Sequence, residues 1–365
     1  MINKLVLENL KHRWVRTILS AIVIGVQVTL LLTIVGLSEG MLQDSANRAR
    51  GVGAEIWLKP ESAGSFTMAS AQIDEKFTTL VAKQPHVKIA LGVVIAQIFG
   101  FTSMAGVDFD KFIEMNGGFR YISGGPLKAP DDILIDEYYQ REKKVNVGDD
   151  LTLLNHKWRV AGVVQEAKLS HIIASKARLQ ELTGNLGRVS EIVVKLDDPV
   201  NKQAVIDHLN TLLKGNLRAV SIEELASLYN INNFPQLKTF INVVIGLSVA
   251  IGFLVVFLSM YTAVLERTRE IGILKALGAK PFTILNILVR ETVVLAVIGS
   301  IIGILLSFAA KGLIMGIIPA SLQVVDVPGW WPIASAIAIV GALLGAVYPG
   351  VKAARQDAIE ALAYD

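Results

Sequence analysis

Four apolar runs, each long enough to cross a membrane, limit what this 365-residue chain can fold into. They cover residues 17–38, 240–264, 287–316 and 331–350. A helix needs about 20 residues to cross about 30 Å of hydrocarbon, so each run can span. Charged residues make up 18% of the chain, below the roughly 25% of soluble domains. We therefore predict an α-helical membrane protein with four transmembrane helices.

The basic residues near these runs predict the orientation. They are Lys4, Lys11, Arg13 and Arg16 before the first run, Arg267, Arg269, Lys275, Lys280 and Arg290 between the second and third, and Lys352 and Arg355 after the fourth. The loop 317–329 between the third and fourth runs has none. Because basic loops stay in the cytoplasm, we expect both termini there and Glu39–Lys238 outside it.

The 200 residues between the first two runs have the pattern of a soluble α+β domain. Alternating stretches such as EIWLKP, ILID and EIVVKL predict strands, and 150–165 predicts a hairpin turning at Asn155-His156. Ser221 and Glu224 have capping-box spacing at a helix start. We divide the chain into 1–39 (amphipathic helix and first span), 40–238 (extracytoplasmic α+β domain with a stalk) and 239–365 (spans two to four). The last part includes a cytoplasmic helix at about 266–279.

That helix falls in the charged stretch LERTREIGILKALGAK, residues 265–280. A helix from Thr268 puts Ile271, Leu274 and Leu277 on one stripe, with Gly278 ending it and Pro281 in the first turn of the next helix. Each charge would cost about 2.5–3.5 kcal/mol at the bilayer centre, so the stretch lies on the cytoplasmic surface. It is either a solvated linker or a rigid block on which a cytoplasmic partner acts.

The same stretch resembles the coupling-helix region of the MacB/FtsX-type permeases of ABC transporters. The matching residues are Glu266, Arg267, Arg269, Glu270, Ile271, Gly272, Ala276, Gly278 and Ala279, followed by Glu291. The entrance LVLENLKHRWVRTILS and the tail YPGVKAARQDAIEALAYD are also similar to the family's, although Ala358 stands where the family usually has Pro.

The resemblance implies the permease subunit of an ATP-driven transporter in the bacterial cytoplasmic (inner) membrane. A separate ABC ATPase would dock under the coupling helix, and its movement would reach the extracytoplasmic domain by mechanotransmission. The implied coupling residues are Glu266, Arg267, Arg269, Glu270, Ile271, Leu274, Lys275, Leu277 and Gly278. The implied partners are a second copy or a paralogous permease in a dimer, a periplasmic adaptor and membrane lipids, with no nucleic acid.

Chemistry within the chain itself is not expected. The sequence contains no G-x-x-x-x-G-K-[ST] loop, so we expect ATP and Mg²⁺ on the ATPase and no cofactor bound directly. The scattered histidines and the absence of cysteine predict neither a metal site nor a catalytic residue. A membrane enzyme is disfavoured, because no nucleophile-base pair is visible in the spans.

Four alternatives stay open at this point. The first concerns function. The chain either exports or extracts an amphiphilic, lipid or peptide cargo, or it is an FtsX-like signalling protein that activates a cell-wall hydrolase without transport. The large insert favours export. Gln27 either bonds to a neighbouring helix or faces cargo or a dimer partner, and Glu39 either attracts a cationic cargo or marks the water boundary. Glycine pairs in spans three and four serve either intramolecular packing or dimer contact.

Overall fold

The computed structural model describes residues 8, 11, 14–61, 73–99, 102–165, 168–320 and 322–355. Most of the predicted N-terminal amphipathic helix and the end of the tail lie outside these residues. The chain divides into two units. A helical unit holds the described residues up to Ser38, Gln236–Leu313 and those from Val324 onward, and an α/β unit holds Glu39–Pro235 and Ile314–Gln323.

The helices and strands alternate through the α/β unit and give way to long helices after it. The helices are α1 (Trp14–Arg50), α2 (Lys76–Ala82), α3 (Phe109–Asn116), α4 (Glu137–Lys143), α5 (Lys176–Leu182), α6 (Lys202–Leu212), α7 (Ile222–Leu228), α8 (Pro235–Glu266), α9 (Thr268–Ala276), α10 (Pro281–Ile317) and α11 (Trp331–Arg355). The strands are β1 (Ile56–Pro60), β2 (Ile73–Asp74), β3 (Val87–Phe99), β4 (Thr102–Val107), β5 (Tyr121–Gly124), β6 (Asp132–Asp136), β7 (Asp150–Leu153), β8 (His156–Val164), β9 (Ile172–Ser175), β10 (Arg188–Val189), β11 (Glu191–Leu196) and β12 (Leu217–Ser221).

Four helices have the length and hydropathy of membrane spans: α1, α8, α10 and α11, the last with the short turn before it. Each contains one of the apolar runs. The prediction of four transmembrane helices with an α+β domain is confirmed.

Small residues bring these helices close together. A Cβ on Gly303 of α10 would lie 2.6 Å from the carbonyl oxygen of Gly25 in α1, and Thr29 donates a hydrogen bond to the Gly303 carbonyl at 3.0 Å. Likewise, a Cβ on Gly345 of α11 would lie 2.5 Å from the carbonyl oxygen of Phe253 in α8. Backbones this close need glycine, so both glycine pairs serve packing within the chain.

The α/β unit is built on one large mixed sheet. Its strand order is β12-β1-β11-β3-β4-β9-β6-β8-β5, with β7 also paired to β8. The pairs β4–β9 and β6–β8 are parallel, and the other pairs are antiparallel. Alternate residues enter two separate core clusters, so that Ile133 and Ile135 belong to one and Leu134 to the other. Both faces of the sheet are therefore covered.

Two local details differ from the sequence expectations. The 150–165 hairpin turns at Leu154-Asn155, one residue early, because these two residues hold the positive φ of 53° and 56°. The segment 314–323, predicted as part of the membrane region, belongs to the α/β unit. Ala320 is buried in that unit's core, and its N–H donates to Oε2 of Glu142 at 3.1 Å. The start of the loop between the third and fourth spans, up to Gln323, therefore belongs to the α/β unit.

Candidate functional site

The charged stretch folds as a short helix between two sharply defined ends. Arg267 leaves the helical conformation, with φ −110° and ψ 15°, and separates α8 from α9. At the other end Gly278 has φ +90°, its N–H donates to the Lys275 carbonyl, and the N–H of Ala279 donates to the Leu274 carbonyl. These two bonds form a Schellman motif. Pro281 then opens α10, so the predicted helix boundaries are confirmed.

One side of α9 packs against other helices of the same chain. Arg267 is 6% exposed and Glu291 of α10 is 1% exposed, and Nη1 of Arg267 lies 3.1 Å from Oε2 of Glu291. Arg16 of α1 lies 3.2 Å from Glu266 and 3.8 Å from Glu291. Ile271 packs in an apolar cluster with residues of α8, α10 and α11. This side of α9 is thus held by ion pairs and by one apolar contact with the neighbouring helices.

The other side of α9 is open. Leu277 is 80% exposed, Ile273 is 46% exposed, and Phe282 on the first turn of α10 is 74% exposed. Arg269 and Glu270 are exposed beside them. We call this exposed set the outer face, and it combines apolar side chains with charged ones.

The outer face differs from the stripe that the sequence predicted. Ile271 and Arg267 were expected on the contact surface, but both are buried against the chain itself. Leu274 and Lys275 are partly buried, and Leu277, Arg269, Glu270 and Glu266 remain exposed. The stripe divides because α9 lies against α10 and α11, which already occupy the side of the helix that Ile271 faces. Phe282 was not predicted, although an aromatic residue next to the helix-opening Pro281 was a visible signal.

Gln27 and Glu39 lie apart from this turn. Gln27 is buried against Gly252 of α8, where a Cβ would lie 2.4 Å from its Oε1. Of the two readings of Gln27, contact with a neighbouring helix fits this position. Glu39 is partly exposed in α1, at the first residue of the α/β unit. The structure therefore does not bring these two residues together with the coupling residues.

A second polar cluster joins the last turns of α1 to the sheet. Arg48 bonds to Asp44 at 2.7 Å and to the fully buried Asp136 at 3.3 Å. Asp136 also contacts Nδ1 of His171 at 2.6 Å and accepts the N–H of Tyr139 at the start of α4. Burial opposes ionisation of Asp136, but the His171 hydrogen bond and the charges of His171 and Arg48 hold its pKa below the usual value. The end of α1 is thus tied to β6 and α4.

Fold and site together define a multi-pass membrane protein whose large α/β domain is inserted between the first two spans. The family described as the MacB-like periplasmic core domain matches residues 17–212, and the FtsX-like permease C-terminal family matches residues 242–358. The chain belongs to the MacB/FtsX-type family of ABC transporter permeases.

Individual proteins show the same similarity. The chain is 24% identical over 329 residues to the macrolide export ATP-binding/permease protein MacB of Aggregatibacter actinomycetemcomitans, covering 80% of this chain and 50% of that one. It is 34% identical over 137 residues to the uncharacterized ABC transporter permease YknZ of Bacillus subtilis (strain 168), covering 35% and 32%. The crystal structure of the periplasmic region of MacB from Actinobacillus actinomycetemcomitans aligns with a TM-score of 0.39 and 16% identity, covering 49% and 94%. The chain spans half or less of the length of these two curated relatives.

Proposed function

We propose that this chain is the permease subunit of an ATP-driven ABC transporter and that the outer face of α9 is where its ATPase docks. The observation that carries this proposal is the exposed apolar set of Ile273, Leu277 and Phe282, which lies at the end of two membrane helices together with charged side chains. Interfaces have such a composition, with a buried apolar centre and a polar rim. The family supports a nucleotide-binding partner, since the MacB relative is named as an ATP-binding/permease protein.

The remaining parts of the complex follow from this arrangement. These 365 residues contain no phosphate-binding loop, and we propose that ATP and Mg²⁺ bind to an ATPase subunit that docks on α9. The basic flanks support our proposal that the outer face of α9 and both termini lie in the cytoplasm. A dimer, either with a second copy or with a paralogous permease, completes the helix bundle, and an adaptor is a further partner outside the membrane.

ATP drives a movement of the ATPase, and the permease transmits this movement mechanically to the α/β unit. Helix α1 is continuous from Trp14 to Arg50, and its last turns are fixed to the sheet through Arg48. A long helix without a break is suited to carry movement. We propose that the cargo is an amphiphile, lipid or peptide handled by the α/β unit, as the export function named for the MacB relative suggests.

Pull-down from reconstituted membranes tests the docking site. The variant with Leu277→Ala and Phe282→Ala should recover at least tenfold less ATPase subunit than wild type. Truncating central apolar anchors costs about 2 kcal/mol or more of binding free energy. Leu186→Ala is the matched control, since Leu186 is 72% exposed but lies in the α/β unit. Recovery at the wild-type level in the double variant would mean that α9 is only a surface linker.

Hydrolysis assays test the division of labour. The purified chain alone should not hydrolyse ATP, and hydrolysis should appear when the ATPase subunit is added. Robust hydrolysis by the chain alone would overturn the permease assignment. If the ATPase binds and hydrolyses but no cargo moves, and a cell-wall hydrolase becomes active instead, the signalling alternative replaces export.

A further inference from the structure

Four charged residues form ion pairs around the break between α8 and α9, with Arg267 and Glu291 buried and the side chain of Glu266 51% exposed. Arg16 comes from α1, Glu266 is the last residue of α8, Arg267 separates α8 from α9, and Glu291 lies in α10. The three contacts are Arg16–Glu266 at 3.2 Å, Arg16–Glu291 at 3.8 Å and Arg267–Glu291 at 3.1 Å. These four residues contribute two positive and two negative charges.

The depth of Glu291 makes the cluster unusual. Glu291 is ten residues beyond Pro281, about 15 Å along α10, and lies within the apolar run 287–316. Ionisable groups inside a membrane segment are expensive, and they mark functional positions more often than folding ones. A well-packed apolar pair would stabilise the fold at least as well as a buried ion pair. Stability alone therefore does not explain why charges occupy this place.

Arg267 connects the ion pairs to the angle between α8 and α9. Its backbone is the break between α8 and α9, and its carbonyl accepts the first bond of α9, from the Ile271 N–H at 2.9 Å. The guanidinium of the same residue is held by Glu291, and Arg16 links Glu291 to Glu266 on the other side of the break. Fixing this side chain fixes the angle at which α9 leaves α8.

We propose that Arg16, Glu266, Arg267 and Glu291 form an ion-pair clamp that fixes α9 to α1 and α10. With the clamp intact, a displacement of the outer face of α9 passes to both membrane helices; without it, α9 rotates about the Arg267 break. The four residues are positioning residues. This inference rests on the proposed function, because the displacing partner is the docked ATPase.

Hydrogen exchange on the full chain in lipid nanodiscs tests the clamp without any partner. Glu291→Gln should raise the exchange rate of the amides in 266–279 at least tenfold, because the neutral amide no longer holds Arg267. Glu270→Gln, the same change on the exposed side of α9, is the matched control and should leave the rate within twofold of wild type. Unchanged exchange in a folded Glu291→Gln variant, or an equal rise in the control, overturns the clamp.

Should Glu291→Gln fail to insert, the double variant Arg267→Gln with Glu291→Gln takes its place. This double variant removes one positive and one negative charge, and it leaves the Arg16–Glu266 pair in place. The same tenfold rise is expected, and wild-type exchange in the double variant overturns the proposal.

Exchange in the presence of the ATPase subunit tests transmission. The Glu291→Gln variant should recover as much ATPase as wild type, because the outer face is unchanged. The difference in exchange of 39–50 between ATP-bound and nucleotide-free complexes should be lost in this variant, whereas a merely structural role would leave it in place. A difference of wild-type size in Glu291→Gln overturns the proposal. If wild type recovers no ATPase, the proposed function fails, and the exchange of 266–279 alone still decides the clamp.

Discussion

At the scale of single residues, Glu191 is a carboxyl that titrates near neutral pH. It is the first residue of β11, and it faces the indole of Trp57, the ammonium group of Lys59 and the phenol of Tyr229. Burial raises its pKa to about 7, although the Trp57 hydrogen bond and the Lys59 charge oppose the rise. Burial, followed by the Glu191 charge, raises the pKa of Tyr229 as well.

This carboxyl should make the α/β unit less stable as pH rises. An unfolded Glu titrates near 4.3, so between about pH 4 and 7 the folded state binds the additional proton and stability falls, by on the order of 2 kcal/mol. Chemical unfolding of the full chain in micelles, followed by tryptophan fluorescence at pH 5 and pH 8, measures the difference. Glu191→Gln should remove most of it, and an unchanged pH dependence in that variant would contradict the assignment.

Residue-level features are predictable from sequence when their cause is local. Gly278 and Pro281 were predicted because a left-handed helix end and a helix start each depend on their immediate neighbours. The burial of Arg267 was not predicted, because its partner Glu291 is 24 residues away and the pairing depends on α9 lying against α10. Charges next to an apolar stripe look solvent-exposed until the neighbouring helix is known.

At the scale of elements, α1 is one helix that begins in the helical unit and ends in the α/β unit. Its 37 residues extend about 55 Å, well beyond the roughly 30 Å of a hydrocarbon core. Hydropathy predicted only 17–38, since the polar residues after Ser38 end the apolar run but not the helix. The helix stops near Gly51 and Gly53, the second of which has φ +77°. A stalk was predicted, but its identity as the same helix was not.

Attachment of this helix to the sheet depends on the buried carboxylate of Asp136. Asp136→Asn should destabilise the α/β unit by about 3 kcal/mol, because Arg48 and His171 lose their buried counter-charge. Asp44→Asn, which removes the partly exposed partner of the same Arg48, should cost less than about 1 kcal/mol. Unfolding of the full-length chain in micelles compares the two. An equal loss of unfolding free energy in the two variants would mean that burial of Asp136 does not strengthen its interaction with Arg48.

The sheet shows where sequence reasoning is weakest at this scale. Strands with clear alternation, such as β1, β6 and β11, were predicted, while the short strands β5 and β9 were not. Ile73 lies in the two-residue strand β2, which depends on its long-range pairing with Val189. Parallel pairs such as β4–β9 join segments about 70 residues apart, and no local pattern encodes that contact.

At the scale of the whole molecule, hydropathy and charge were sufficient for the fold class. Four spans and one inserted α+β domain follow from the length of the apolar runs and from what lies between them. The membership of 314–323 in the α/β unit was not predictable, because the contacts of Ala320 with the unit's core and with Glu142 are long-range. The orientation of the chain in its membrane stays a prediction from the basic residues.

Reporter fusions test that orientation with sites that the structure supplies. Gly148, Gly215 and Gly278 all sit at turns with positive φ, and a Cβ at each would meet nothing within 4 Å, so insertion should not disturb packing. A reporter active only outside the cytoplasm should be on at Gly148 and Gly215 and off at Gly278 and after Asp365. The reason is the positive-inside rule, since Arg267, Arg269 and Lys275 flank one site and no basic residue occurs in the loop 317–329. The two fusions in the α/β unit control for each other and must agree. An active reporter at Gly278 would place α9 outside the cytoplasm, where no ATPase could reach it.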